Sequence, residues 1–514
     1  MKRLLLITTT LASVLILNAQ EPLDALRYSM LGHGGTARAR AIGGALTSLG
    51  GDFSAIAVNP AGLALFKTSE VVFTPSLSLN KTKTNYLNSE VKDKKTTPDF
   101  SNIGLIIPRP GSWNGKWKNF TWGLGMNKTI NFGNSITLKG NNNQSSYSEK
   151  YLEELINNNV TDPNAAASNY PYGASLAFNT FLIDTIAGID NTIEGYRSNA
   201  TYLTGLTQAQ TITSKGSIND IYIATSANYM DKVYFGGSVN FSKLRYERTS
   251  VYKETDATDN TSNNFNYFQT DDYLLTEGVG LGIKLGVIVK PIEQLRVGLA
   301  FHSPVLYNME DFYSSKITTD LEGYQGSGVL TQSSTDFNAG ELGNFQYDFS
   351  NPMRLLFGLS YILHEVEDVT RQKGFISADV EYLNYGKARF SPANTNSGDN
   401  HSSYLTQVNN AIKEQFKSAI NMRIGGELKF NTIMARLGFN YMGNAYSEKP
   451  LTARQMNISG GLGYRHMGMF VDLTYVHQLA KDATFPYRLD NGFYAPGYIK
   501  GSNGNLLLSI GFKF

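Results

Sequence analysis

Across 514 residues the chain is 41% hydrophobic and only 17% charged, with 49 Gly, 30 Tyr and 28 Phe, a mixture that suits turns, strands and aromatic girdles. Its 45 basic and 43 acidic residues leave a formal charge of +2, which offers no bulk attraction to nucleic acid or to an acidic partner. With no cysteine, disulfides, thiolate metal sites, a cysteine nucleophile and a lipid anchor on cysteine are all excluded.

Residues 1–20 have the form of a secretory signal peptide: Lys2 and Arg3 precede an apolar stretch from Leu4 to Leu17, and Ala19 supplies a small residue for cleavage after position 19 or 20. Beyond it no run of about 18 apolar residues occurs. An exported chain of this kind is expected to be either a soluble or surface β-protein or a closed barrel in an outer membrane.

Residues 21–67 are rich in small side chains and neither helix-periodic nor strand-alternating for long. Asn59 before Pro60 is a helix-start signal, because Asn can accept the free amides of a first turn and Pro at the first helical position loses no hydrogen bond. A short helix is therefore predicted over about 60–66.

Three strands follow, over about 69–80, 101–108 and 119–138. The segment 139–208 is too long for a plain loop, contains a predicted helix over 149–157, and is expected to form a folded extracellular cap. The second half then alternates tight turns, near Asp231, Glu293, Asn431 and Met467, with long polar connections. That is the pattern of short periplasmic turns and longer extracellular loops.

Within these strands one face is oily and the other polar: Ile420, Met422, Ile424, Leu428 and Phe430 alternate with Asn421, Arg423, Glu427 and Lys429. Runs of ten or more exceed the usual strand of a soluble sandwich. The chain closes on Leu506, Leu508, Ile510, Phe512 and Phe514, all of one parity. The count comes to about 14, even as single-chain bacterial barrels require. The predicted fold is all-β, a transmembrane antiparallel barrel over 68–514.

Seven charged residues of lumen parity, Asp379, Glu381, Arg423, Glu427, Arg436, Arg465 and Asp472, are candidates for a charge network inside the barrel, against the plainer reading that they are simply solvated. Catalytic signatures are missing: the six His have no metal-ligand spacing, and no nucleophile elbow, phosphate loop or dinucleotide fingerprint occurs. Neither enzyme, metal nor cofactor is expected.

Residues Gly43, Gly44, Gly51 and Asp52, followed by Asn59, Pro60, Ala61, Gly62 and Leu63 just before the first strand, resemble the N-terminal hatch of the FadL/OmpP1/TodX family of outer-membrane transporters. The resemblance implies a 14-stranded barrel in the outer membrane, plugged by a hatch over 21–67. It further implies passive transport of long-chain fatty acids or aromatic compounds, hatch movement, and exit through a lateral gap in the wall. Gly123, Gly125 and Gly133 in the third strand are candidates for the kink that makes such a gap, against the plainer reading of ordinary small barrel residues. The implied partners are outer-membrane lipid and lipopolysaccharide, a hydrophobic ligand bound in a dry pocket beside the hatch, and the barrel-assembly machinery through Phe514, with the protein a monomer. A docking accessory acting through the 139–208 loop, or a general porin, are the alternatives.

Overall fold

In the computed structural model the described residues are 22–30, 32, 34–112, 115–188, 192–258, 260–364, 373–393, 400–448 and 451–514. The expected signal peptide lies outside them, as does His33. Fourteen antiparallel strands close into a transmembrane barrel. They are β1 (Glu70–Tyr86), β2 (Ser89–Pro110), β3 (Trp117–Asn131, continued by Asn134–Asn142), β4 (Leu206–Tyr229), β5 (Val233–Asp256) and β6 (Tyr267–Ile292). Then come β7 (Leu295–His302 and Leu306–Asp320), β8 (Gly343–Ser350 and Arg354–Leu363) and β9 (Gly374–Asn384 and Arg389–Pro392). The ring is completed by β10 (Ser418–Phe430), β11 (Ile433–Met442), β12 (Gln455–His466), β13 (Met469–Thr484) and β14 (Gly497–Lys513). Pairing of β14 with β1, for example Ile510 with Phe73, closes it.

The period-two pattern decides which face meets lipid. Phe73, Trp122, Leu285, Leu437, Ile458 and Leu473 point outward and are each at least 47% exposed. A belt of this size on an isolated chain is what a hydrocarbon environment covers. Trp117 stacks on Phe120 and meets Tyr229 edge-on at the tight-turn end, as amphipathic rings do at a membrane interface. No helix among the described residues is long and apolar enough to span a membrane.

At the loop end the strands outrun the membrane. β5, with 24 residues, is far longer than the 9–11 residues a bilayer requires. The first hairpin accordingly differs from the expectation of strands ending near residue 80 and resuming near 101. β1 and β2 stay paired up to Tyr86 with Ser89, joined by Leu87 and Asn88 alone. The charged run 81–97 resembles a loop only because its outward face is above the hydrocarbon and meets water.

Over the loop end sits a cap between β3 and β4. It holds helices Glu149–Asn157, Pro163–Ser168 and Ala174–Asn179, a two-stranded ribbon (Ile183–Ala187 with Ile193–Ser198), and a buried core including Leu155, Leu176 and Leu182. Glu254 of β5 pins it, accepting from Ser146 Oγ at 2.5 Å, Tyr147 N at 2.8 Å and Gln208 Nε2 at 2.9 Å.

Leu87 and Asn88 take positive φ angles of 47° and 64°, and a left-handed conformation costs a side-chain-bearing residue such as Leu roughly 1–2 kcal/mol. The double change Leu87→Asn with Asn88→Gly supplies the residues this turn favours. It is expected to raise the local opening free energy of the hairpin tip by about 1 kcal/mol, measured by amide hydrogen exchange at Tyr86 and Ser89; unchanged exchange would contradict the account.

Candidate functional site

The N-terminal segment lies inside the ring. It begins with α1 (Pro22–Ser29), continues through α2 (Ala37–Ala41) and α3 (Ala55–Val58), and ends in a 3₁₀ helix, Pro60–Leu65. Between residues 35 and 66 its contacts run round the wall from β2 to β14. Ser101 Oγ donates to Gly35 O at 2.7 Å, Lys284 Nζ to Ala57 O at 2.7 Å, Arg296 Nη1 to Leu49 O at 2.9 Å, and Thr474 Oγ1 to Ala37 O at 2.7 Å.

Wall glycines make this close approach possible. A Cβ on Gly286 would lie 1.8 Å from Asn59 Oδ1, one on Gly236 would lie 2.3 Å from Ala61 N, and one on Gly438 would lie 2.2 Å from Gly43 N. Within the segment, Gly43 takes φ +68°, and a Cβ there would lie 2.7 Å from Phe439 O, so glycine alone suits the position. Gly44 completes that turn, and Gly51, with φ +65°, leads into the bend at Asp52. The Asp52 carboxylate accepts from Thr36 Oγ1 and Ser54 N.

Asn59 is fully buried and does two things at once. Its Oδ1 accepts from Ala61 N at 3.1 Å, capping the 3₁₀ helix that Pro60 begins, while Nδ2 donates to Thr47 O at 2.6 Å and to Val287 O and Leu299 O of the wall at 3.3 Å each. Gly62 packs on Gly50, and Leu63 enters an apolar cluster with Phe53, Ile56 and Phe66.

All seven candidate charges are buried or half-buried on the lumen face, and they form two sets. Arg436 donates from Nε to Glu427 and from Nη1 to Asp472, each at 2.6 Å, with Arg465 3.6 Å from Asp472. The first set is completed by Arg38 of α2, whose Nε donates to Glu427 Oε2 at 3.0 Å. In the second, Glu381 accepts from Arg423 and from Arg354 Nη1 at 3.1 Å. Asp379 accepts from Thr47 N at 2.9 Å and Oγ1 at 2.7 Å. Sequence patterning passes over Arg38 and Arg354; the ARARA repeat carrying Arg38 gives no hint that its partner lies 389 residues away.

The interior has two regions of opposite character. A cavity of about 300 Å³ beside Met30, Gly32 and Gly34 is lined largely by polar groups, including Arg40, Asp99, Lys128, Asn457, Gln478 and Asn505. The apolar region is an aromatic chamber lined by Phe132, Tyr246, Tyr307, Phe345, Phe349 and Phe390, and α1 fills it. Tyr28 meets Phe132, Tyr246 and Phe349 edge-on at centroid distances of 6.2, 6.2 and 5.9 Å.

Next to both regions the wall changes. β2 pairs with β3 only from Asn102–Asn127 down to Pro110–Asn119, whereas β3 stays on β4 as far as Asn142. Above that level side chains bridge β2 and β3: Asp93 accepts from Thr137 N at 2.8 Å and from Thr137 Oγ1 at 3.0 Å, and Asp99 pairs with Lys128. Gly32 and Gly34 lie against this seam, where a Cβ on Gly34 would lie 2.0 Å from Lys128 O. Gly133 sits in the interruption of β3, between Asn131 and Asn134. Gly123 and Gly125 sit instead in an unbroken ladder, and their missing side chains make room for Leu63, Ile56 and Phe53.

Among the described residues no group of three or more His, Cys, Asp or Glu could hold a metal. His302 is buried at the lumen face, with Nε2 2.8 Å from Val58 O.

No family model matches the sequence, and no curated protein does. Solved structures do match. The crystal structure of a Pseudomonas aeruginosa FadL homologue aligns over 94% of this chain and 98% of its own, at 12% identity and a TM-score of 0.55. The chain has the FadL-family fold. The Pseudomonas putida toluene transporter TodX and the Ralstonia pickettii toluene transporter TbuX also align over 94% of the chain and 99% of their own, each at 13% identity, with TM-scores of 0.49 and 0.48.

Arg436→Leu leaves Glu427 and Asp472 each short of a buried partner, and is expected to weaken seating of the plug by roughly 3–5 kcal/mol. The check is protease resistance of the N-terminal segment in a barrel that still shows folded, heat-modifiable mobility; undiminished resistance would remove the network from its holding role.

In the cap, burial raises Glu154 to about 7 while it accepts from Ala174 N at 2.7 Å. The folded cap thus keeps a proton that the unfolded segment releases above the ordinary carboxylate range. Cap stability should be greatest below about pH 4.5, fall as pH rises to about 7, and level off beyond. Glu154→Gln should flatten that profile in hydrogen exchange; a slope retained in the variant would assign it elsewhere.

Proposed function

We propose that the chain is an outer-membrane channel that passes hydrophobic small molecules, long-chain fatty acids or aromatic compounds, by diffusion. In this reading residues 21–67 are its hatch, and Phe514 presents the barrel to the assembly machinery. One juxtaposition carries it: an aromatic chamber filled by α1 lies beside a stretch of wall bridged by side chains rather than a backbone ladder, and Gly32 and Gly34, which follow α1, lie against that stretch.

Cleavage of the expected signal peptide leaves α1 at the mature N-terminus, tethered only through residues 30–36. Apolar burial contributes about 25 cal/mol per Å², so a solute takes the chamber by matching the area that Leu26 and Tyr28 bury there. Displacing α1 pulls on the glycines along the seam. Opening the seam breaks side-chain contacts and no backbone ladder, and a lateral exit spares the solute a passage through water. A lumen crossed from wall to wall by residues 35–66 speaks against an open general porin.

Because the native chain lacks cysteine, Asp93→Cys with Thr137→Cys cross-links the seam alone. Liposome uptake of radiolabelled oleate and of a neutral aromatic should stop in the oxidised variant and return on reduction. Undiminished uptake by the oxidised barrel sinks the lateral exit, and a folded native barrel that neither binds nor carries either solute sinks the transport reading.

A further inference from the structure

Six lysines share the outward face of four neighbouring strands at one height. Cross-strand register places Lys92 of β2 opposite Lys83 of β1, Lys83 opposite Lys500 of β14, and Lys500 opposite Lys481 of β13. Two residues nearer the membrane, Lys94 faces Lys81. With strands about 4.8 Å apart, the upper row of four spans about 15 Å.

Like charges directly opposite one another on a sheet repel, and several outward charges elsewhere on this barrel are matched by opposite ones. On β4 to β7, Lys215 pairs with Glu247 at 2.9 Å, Arg245 with Glu277, and Lys316 with Asp271 at 3.0 Å. On the lysine face Glu90 alone forms ion pairs, with Lys83 at 2.5 Å and Lys92 at 3.5 Å. Among the described residues, Lys81, Lys94, Lys481 and Lys500 have no ion pair there. At the upper row, on its loop side, lies a surface cavity of about 370 Å³ whose lining includes Lys83, Lys481, Lys500, Tyr498, Glu90 and Asp482.

Height identifies what meets this face. Directly below the lysines the outward residues of β1 are Leu79, Leu77, Phe73 and Val71, a stretch of nine positions that matches one bilayer crossing by a tilted strand. The ammonium groups therefore stand where lipid headgroups begin, on the loop side of the barrel.

We propose that this face binds a phosphate-bearing glycolipid of the outer leaflet, its phosphates held in the cavity between Lys83, Lys481 and Lys500 and its acyl chains lying on the apolar wall beneath. The site goes beyond the transport reading and rests only on its outer-membrane placement; lipid binding is measured without any solute crossing, so failure of one leaves the other standing.

The test uses the full barrel in detergent with bisphosphorylated lipid A as probe, and bound lipid is counted by native mass spectrometry. Each lysine near an anionic lipid surface contributes roughly fivefold. The triple variant Lys83→Gln, Lys481→Gln, Lys500→Gln should therefore lose on the order of a hundredfold in affinity. Lys215→Gln should bind as the native barrel does, as should the triple replacement by Arg. If the triple variant fails to reach the folded, heat-modifiable form, Lys500→Gln alone should still lose about fivefold. Equal binding by native barrel and glutamine variants overturns the site. So does equal binding of the same lipid stripped of both phosphates. Displacement of the lipid by inorganic phosphate as effectively as by fresh lipid A would make it a site for free anions and overturn the glycolipid.

Discussion

A backbone polar group in hydrocarbon must find its partner within the protein, and the closed hydrogen-bond ring from β1 to β14 answers that demand. Once the ring is closed, every other feature follows its terms. Side chains must alternate between lipid and lumen, the lumen must be filled or wetted, and any exit through the wall must occur where the ladder has been given up. Above Asn102 and Asn127 it has been given up, and carboxylates of Asp93 and Asp99 take over part of the bonding that a neighbouring strand would have supplied.

The filling of the lumen shows how a plug can be held firmly without becoming part of the wall. Its backbone lies against wall glycines, its carbonyls accept from wall Lys, Arg, Ser and Thr side chains, and Arg38 joins a buried chain of charges running through Glu427, Arg436 and Asp472. Removing one member of such a chain is costly because the others remain charged and buried. α1 is held differently, mostly by ring packing in the aromatic chamber, with Arg354 donating to Ser29 O at 2.5 Å. Apolar contact is the bond that an apolar solute can replace.

Much of the wall is legible in the sequence, because alternation sustained over ten residues requires a strand with one face in an apolar medium and the other against polar groups or water. The 420–430 segment and the long-short rhythm of connections after residue 230 point to the barrel directly. The first hairpin is harder to read, since its upper half carries polar residues on both faces once it leaves the membrane, and Pro98 adds a turn-like signal. In the interior, the parity of Glu427 and Arg436 announces a lumen position, whereas the partnership with Arg38 depends on a plug whose register against the wall no local pattern records. Gly123 and Gly125 illustrate the same limit: a glycine in a strand signals missing volume, and only the packed structure shows whether the space serves a bend or a neighbour, here Phe53 and Leu63.

By itself the sequence determined the class of the protein: strands of one oily face, a small-residue segment before them, and an aromatic last residue. Period-two patterning is local, and a membrane enforces it strand by strand. What only the tertiary structure decided is where the ladder opens, which charges meet, that α1 fills the aromatic chamber, and that lysines about 400 residues apart stand side by side. Each of these depends on closing the ring and seating the plug, and contacts across a closed ring leave no period in the chain.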